Sequence, residues 1–161
     1  MSWSPFWRKL LLTLHVVTSV GLIGAVATFL LLATIGASSS DPALVNSAYL
    51  AMNLITWPII VPLAFASLLI GIVQSLGTPW GLFRYYWVIL KLVLTAVAIV
   101  VLLIQTPTIA ALSHAANGGE LTQLAGGRFA MILHSAGGIV VLMLATVLSV
   151  YKPRGMTASR I

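Results

Sequence analysis

Four long apolar stretches dominate this chain and restrict the folds open to it. They cover residues 10–35, 48–76, 86–105 and 129–151. Each matches the about 20 apolar residues that an α-helix needs to cross the ~30 Å hydrocarbon core of a bilayer. With 60% hydrophobic and only 6% charged residues, the chain has too few charges to cover a water-soluble domain. We therefore predict an all-α integral membrane protein with a single transmembrane domain over residues 1–161.

The first stretch follows Arg8 and Lys9, as the apolar core of a signal peptide would. It is roughly twice as long as the 7–15 residues usual for such a core. We therefore interpret it as a retained span.

The connections between the stretches favour an up-down-up-down four-helix bundle. Short connections at 36–46 and 77–85 make consecutive helices antiparallel neighbours. The third connection, 106–127, begins near Pro107, and we expect it to be a loop with short interfacial helices. Helix interfaces in lipid use small residues, and the candidates are Ser19, Gly21, Gly24, Thr28, Gly137, Gly138 and Ala145.

The basic residues predict the orientation of the bundle in the membrane. Seven of the eight fall on one side of the predicted spans, namely Arg8, Lys9, Arg84, Lys91, Lys152, Arg154 and Arg160. Only Arg128 falls on the other side, together with the acids Asp41 and Glu120. Cytoplasmic loops carry the excess of Lys and Arg, so both termini are predicted to be cytoplasmic. Most of the tryptophans and tyrosines also lie near that boundary, as an interfacial belt would.

Composition excludes several classes of function. The net charge of +6 is explained by membrane orientation, so we expect no nucleic-acid partner. Without cysteine, the chain has no disulfide, zinc–thiolate or iron–sulfur chemistry. The sequence shows no carboxylate pair, nucleophile–base pair, phosphate loop or metal-ligand spacing. We therefore name no catalytic residues and favour a non-enzymatic role over an enzymatic one.

Two histidines lie within the spans, where ionisable groups are rare and tend to face the bundle interior. His15 lies on the cytoplasmic side of the first span and His134 on the outer side of the fourth. At 1.5 Å per residue their heights differ by roughly 20 Å. We therefore treat them as candidate metal ligands in two separate sites, one in each leaflet.

The outer site centres on His134. Met131, three residues before it, and Gly138, four after, share its helix face. We expect the neighbours Met52, Asn53, Thr56, Gln105 and Ser135. A haem b could use His134 as an axial ligand and either Met52 or His114 as a second. The alternative is that His134 hydrogen-bonds a carbonyl or Asn53, and that the adjacent glycines allow tight packing.

The inner site centres on His15 and Lys91, with Thr13, Ser19, Gln74 and Ser149 as expected neighbours. Lys91 could extend to the headgroup region. In the other interpretation, Lys91 and His15 face each other beside an anionic group, such as a haem propionate or a lipid headgroup. In the second span, Pro58 and Pro62 each remove a backbone donor, which predicts a bend and some room at mid-depth.

Three motifs resemble a family of uncharacterised small bacterial integral membrane proteins with four spans. They are Leu14-His15 with Ser19-Val20-Gly21, then Thr78 to Arg84 leading to Tyr86-Trp87 and Lys91-Leu92, and last His134 with Gly137-Gly138 running to Ser149–Gly155. The resemblance covers most of the chain. It implies a multi-pass protein of the bacterial inner membrane and carries no assigned activity.

The chain is also more loosely similar to four-helix b-type cytochromes and copper-resistance-type membrane domains, which place histidines near helix ends. Diheme proteins of that kind need two histidine pairs, and this chain has three histidines in all. We expect a haem-binding or redox accessory protein of the inner membrane. The alternative is a non-enzymatic accessory subunit or a bundle that binds lipid or a partner, as a homo-oligomer or with another membrane subunit. A small transporter ranks third.

Overall fold

The computed structural model describes residues 3–78, 81–118 and 124–153, together with Gly155 and Thr157. Its helices are α1 (Pro5–Ser38), α2 (Pro42–Ile55), a π-helical turn (Thr56–Ile60), α3 (Val61–Leu76), α4 (Tyr86–Gly118) and α5 (Ala125–Tyr151). The α2, π and α3 segments follow one another without a break, so the described chain forms four long helices. By length and composition, all four are apolar enough to cross a membrane. The prediction of an all-α chain with four long apolar helices is confirmed.

The α1, α2 and α5 helices begin earlier than the apolar stretches that predict them, whereas α4 begins where it was predicted to begin. Proline occupies the first position of both α1 and α2, where its missing N–H and fixed φ suit a helix start. The carboxylate of Asp41 accepts a hydrogen bond from the backbone N–H of Ala43 at 3.0 Å. The residues at these helix starts are proline or polar, so a prediction from hydropathy alone places the start of the helix too late in the sequence.

The α4 helix differs from its predicted length because it continues through Pro107 to Gly118. Proline cannot donate to the carbonyl of Leu103, one turn back. The hydroxyl of Thr106 donates to that carbonyl at 2.8 Å instead. Side chains of this kind let a helix within a bundle tolerate proline. Most of the expected third loop is therefore helix, and residues 119–123 lie outside the described part of the chain.

The predicted irregularity near Pro58 and Pro62 takes the form of the π-helical turn. The backbone N–H of Val61 bonds to the carbonyl of Thr56, five residues back. The Thr56 hydroxyl donates to the carbonyl of Met52 at 2.7 Å. The helix thus widens for one turn where the prolines remove donors, and it continues on both sides.

The core lies between α1 and the helices that surround it. The α1 helix packs against α2, α3 and α5, and α4 packs against the same three. Buried core residues from all four long helices form one cluster, namely Leu22, Phe29, Ala33, Val45, Tyr49, Met52, Ile60, Ala64, Ile99, Ile109, Leu112 and Met131. This core leaves open spaces toward one end and at mid-length, where the candidate sites lie.

Candidate functional site

A cavity of about 600 Å³ opens at the end of the bundle where α1 begins and α3 ends. We call it the basic cavity. Its described lining includes four basic side chains, Arg8, Lys9, Lys91 and Lys152, and no acidic one. Trp3, Gln74, Trp87, Ser149 and His15 complete its polar and aromatic wall. The volume falls within the range of small-ligand sites in proteins.

Lys91 is held inside this cavity by two contacts. Its ammonium donates a hydrogen bond to the Ser149 hydroxyl at 2.9 Å and lies 4.7 Å from the centre of the buried Trp87 ring. The Ser149 hydroxyl in turn donates to the Ala145 carbonyl at 2.8 Å. Both the cation–π contact and the hydrogen bond fix the ammonium in place, so Lys91 presents a positioned charge to the cavity.

His15 lies against α3 in the same cavity. A Cβ atom added to Gly71 would stand 3.0 Å from its Cε1, so glycine makes room for the ring. Within the described structure, the buried Nδ1 of His15 and the buried Oε1 of Gln74 have no hydrogen-bond partner. Buried polar atoms are normally paired with protein, water or ligand. The cavity therefore offers two unused polar atoms beside its cations.

The other residues expected at the inner site take separate positions. Ser19 bonds to Ser67 across α1 and α3 at 2.9 Å. Thr13 is exposed and donates to the carbonyl of Lys9 on its own helix. The structure thus brings His15, Lys91, Gln74 and Ser149 together and leaves Thr13 outside. Arg154 lies outside the described residues.

A second space, the apolar cavity, has a volume of about 300 Å³ at mid-length between α1, α3, α4 and α5. His134 lies in its wall, where the Nε2 of Gln105 is 3.0 Å from His134 Nδ1 and 3.5 Å from Nε2. Gly137, Gly138 and Met131 also line it. His134 therefore pairs with Gln105 on α4, one of its expected neighbours, and lies in a different cavity from His15.

A smaller space of about 290 Å³, the connecting cavity, lies between these two. It shares His15, Lys91 and Ser149 with the basic cavity. It shares Thr95 and Leu142 with the apolar cavity. The three spaces therefore adjoin one another along the bundle in the order basic, connecting and apolar.

The described residues that line the apolar cavity offer no second axial ligand across from His134. The Gln105 amide is within hydrogen-bond distance of both ring nitrogens of His134, so an iron bound at either nitrogen would displace that contact. Met131 is on the same helix and the same face as His134, while axial ligands approach the iron from opposite sides. Among the described residues, no group of three or more His, Asp or Glu side chains could hold a metal ion.

Of the remaining expected haem neighbours, Ser135 lines the apolar cavity, where its hydroxyl donates to the Met131 carbonyl of its own helix. Met52 is fully buried in the core and is not among the described lining residues. Asn53 is half-buried on α2 and Thr56 is buried, and neither lines the cavity. His114, expected in a loop, is exposed on α4, nine residues or about 13 Å along the helix from Gln105.

Sequence reasoning missed the role of Arg128. Its guanidinium donates to the carbonyls of Gly36 and Ala37 at 2.8 and 3.1 Å and to the Tyr49 hydroxyl at 3.2 Å. It therefore closes the C-terminal end of α1, where unpaired carbonyls favour a cation. The available signal in the sequence was that Arg128 lies on the opposite side of the predicted spans from the other seven basic residues.

No protein-family model, no curated protein and no solved structure matches the chain. We therefore infer function from the cavities and their side chains.

Proposed function

We propose that the chain is a non-enzymatic membrane protein that binds the anionic headgroup of a membrane lipid in the basic cavity. The observation that carries this proposal is the clustering of four basic side chains around a space with no acidic lining residue among those described. Like charges in one partly enclosed cavity repel, and a bound anion relieves that repulsion. Phosphate also accepts several hydrogen bonds from lysine and arginine.

Insertion in a bilayer is supported by the outward faces of the helices. Val20, Val100 and Val140 lie near the middle of their helices and are 55–62% exposed. In water such continuous apolar faces would drive aggregation, whereas in lipid they are the expected surface.

The up-down-up-down arrangement is supported by pairs of contacting residues. Along α1 the partners on the next helix run in reverse order, as in Gly36 with Tyr49, Gly21 with Leu63, and His15 with Gly71. Between α4 and α5 the order is also reversed, as in Lys91 with Ser149, Gln105 with His134, and Thr108 with Gly127. Neighbouring helices that pair in reverse order are antiparallel.

The orientation follows from the distribution of basic residues, with both termini cytoplasmic. The basic cavity then opens at the cytoplasmic headgroup level, where anionic lipids attract basic segments. Lys91 is five residues from the start of α4, about 8 Å inward, so the headgroup is drawn slightly below the interface. The resemblance of its motifs to small bacterial membrane proteins supports the bacterial inner membrane as its proposed location.

The test is lipid retention by the purified full-length chain, measured by native mass spectrometry in a neutral detergent. We expect retention of phosphatidylglycerol over zwitterionic phosphatidylcholine. Lys91→Met removes the positioned charge and should weaken phosphatidylglycerol retention about fivefold, the effect of ~1 kcal/mol per basic residue. Arg84→Gln is the matched control, because Arg84 is exposed at the same end and is not among the described lining residues.

Equal retention of the two lipids, or equal losses in both variants, would contradict the proposal. Inorganic phosphate serves as a competitor that distinguishes a lipid headgroup from a free anion. If millimolar phosphate displaces phosphatidylglycerol completely, the cavity is a site for a soluble anion and the lipid assignment is wrong.

A further inference from the structure

The three adjoining cavities change in chemistry along the length of the bundle. At the cytoplasmic end the lining carries Lys91 and three further basic side chains. Beyond Thr95, the apolar cavity is lined mainly by Leu, Ile, Val, Ala and Phe side chains. A path that begins with cations and continues with hydrocarbon has the same polarity order as an anionic lipid molecule.

The apolar cavity is long enough for one lipid chain. Its lining on α4 runs from Leu94 to Ile109, about 22 Å at 1.5 Å per residue. One leaflet contributes half of the ~30 Å hydrocarbon core, about 15 Å. A chain of that length that enters beside Thr95 ends within the cavity at the level of Gln105, ten residues further along α4.

Two polar groups in the wall of the apolar cavity are already paired with each other. Gln105 and His134 bond to each other, so an apolar chain end beside them leaves neither partner newly unpaired. Gly137 and Gly138 leave the surface of α5 without side chains where it lines the apolar cavity. A Cβ at Gly137 would meet nothing within 4 Å, and one at Gly138 would meet only Val26, at 3.6 Å.

From this we propose that one acyl chain of the bound anionic phospholipid lies inside the bundle, in the apolar cavity, with its end beside His134 and Gln105. This inference rests on the proposed headgroup site at Lys91. It assigns His134, Gly137 and Gly138 to a chain-binding wall. The occupant is a diacyl anionic phospholipid of the cytoplasmic leaflet, held by headgroup and chain together, with its second chain in the surrounding bilayer.

The experiment uses phosphatidylglycerol that carries a diazirine at the end of one acyl chain, in vesicles of phosphatidylcholine with the full-length chain. After photolysis, mass spectrometry locates the cross-links. We expect them on residues that line the apolar cavity, such as Ala98, Leu102 and Gly138. A lipid that merely surrounds the bundle would label the exposed outward positions Val100 and Val140 instead.

A matched pair of variants tests occupancy directly. Ala98→Leu fills the apolar cavity and should reduce the cavity cross-links at least about fivefold, on the scale of overpacking a filled site. Ala27→Leu makes the same change at an exposed position of α1 and should leave them unchanged. The preference for phosphatidylglycerol over phosphatidylcholine should persist in both variants, because it depends on the headgroup.

Two different failures can be told apart. If Lys91→Met abolishes the lipid preference while chain-end cross-links in the unchanged chain fall only on outward positions, the chain inference is wrong and the headgroup site stands. If there is no preference for phosphatidylglycerol and Lys91→Met changes nothing, both proposals are wrong. Cavity cross-links that are equal in Ala98→Leu and Ala27→Leu also overturn the chain inference.

Discussion

Single residues decide how closely the helices approach. The Gly36 backbone lies directly against the Tyr49 ring, and an added Cβ would be 2.7 Å from its Cζ. Tyr49 is almost fully buried and its hydroxyl accepts a hydrogen bond from Arg128, so the ring has little freedom to move. Arg128 also bonds to the Gly36 carbonyl. One glycine, one tyrosine and one arginine therefore hold the C-terminal end of α1 against α2 and α5.

Replacing Gly36 by alanine should destabilise the protein by about 1–3 kcal/mol, because the new methyl group overpacks this contact. Gly24→Ala is the control, since a Cβ there would meet nothing within 4 Å. It should be neutral or stabilising by up to about 1 kcal/mol, because alanine favours the helix. Unfolding by sodium dodecyl sulfate in mixed micelles measures both. Equal effects of the two substitutions would contradict the structure.

His134 is held by Gln105, and we expect it to bind no haem. The protein purified in detergent should be colourless and should develop no Soret band when haem is added. A Soret band that disappears in His134→Ala would contradict this expectation and revive haem ligation. The absorption spectrum of Gln105→Ala with added haem tests the same point, because that variant removes the amide that contacts the His134 ring nitrogens.

At the scale of helices, much of the architecture follows from the sequence, since long apolar segments need only length and hydropathy to be recognised. The grouping of Lys91 with Ser149 and of His134 with Gln105 was also predictable from depth along antiparallel helices. The continuation of α4 was not, because Pro107 is normally read as a helix end. That misreading also placed His114 in a loop. The cap made by Arg128 needs tertiary contacts that no local pattern encodes.

The proline in α4 is tolerated through Thr106, which leads to a double-mutant test. Thr106→Val should destabilise the protein by about 0.5–1.5 kcal/mol, because it leaves the Leu103 carbonyl without its donor. In a Pro107→Ala background the backbone N–H of residue 107 returns to that carbonyl. The effect of Thr106→Val should then fall below ~0.5 kcal/mol. Mixed-micelle unfolding of the four proteins gives the coupling energy, and additive effects would contradict the explanation.

On the scale of the whole molecule, charge is distributed unevenly between the two ends. The basic cavity collects cations at one end, whereas Arg128 at the other is engaged by carbonyls of α1. In the orientation proposed above, this asymmetry puts the basic cavity in the cytoplasmic leaflet, which would supply the proposed ligand. The proposed orientation and the proposed leaflet therefore depend on the same few lysines and arginines.

The orientation can be tested because the chain contains no cysteine. Ser4→Cys and Ser40→Cys place single thiols at exposed positions before and after α1. A membrane-impermeant maleimide should label Ser40→Cys on intact cells and Ser4→Cys only after the cells are permeabilised. The reverse pattern would invert the predicted orientation. Labelling of both thiols on intact cells would argue against α1 as a span.

The π-helical turn has a consequence for the insertion and deletion of residues. Met52, Thr56, Ile60 and Ala64 are all buried, yet a spacing of four drifts by about 40° per step in an α-helix of 3.6 residues per turn. The π-helical turn holds one more residue than an α-helical turn. This extra residue offsets the drift and keeps the four buried side chains on one face. Deleting the exposed Ile59 should therefore be tolerated as a return to plain α-helix. Deleting the exposed Leu69 from α3 should prevent folding, as measured by the yield of monodisperse protein in detergent.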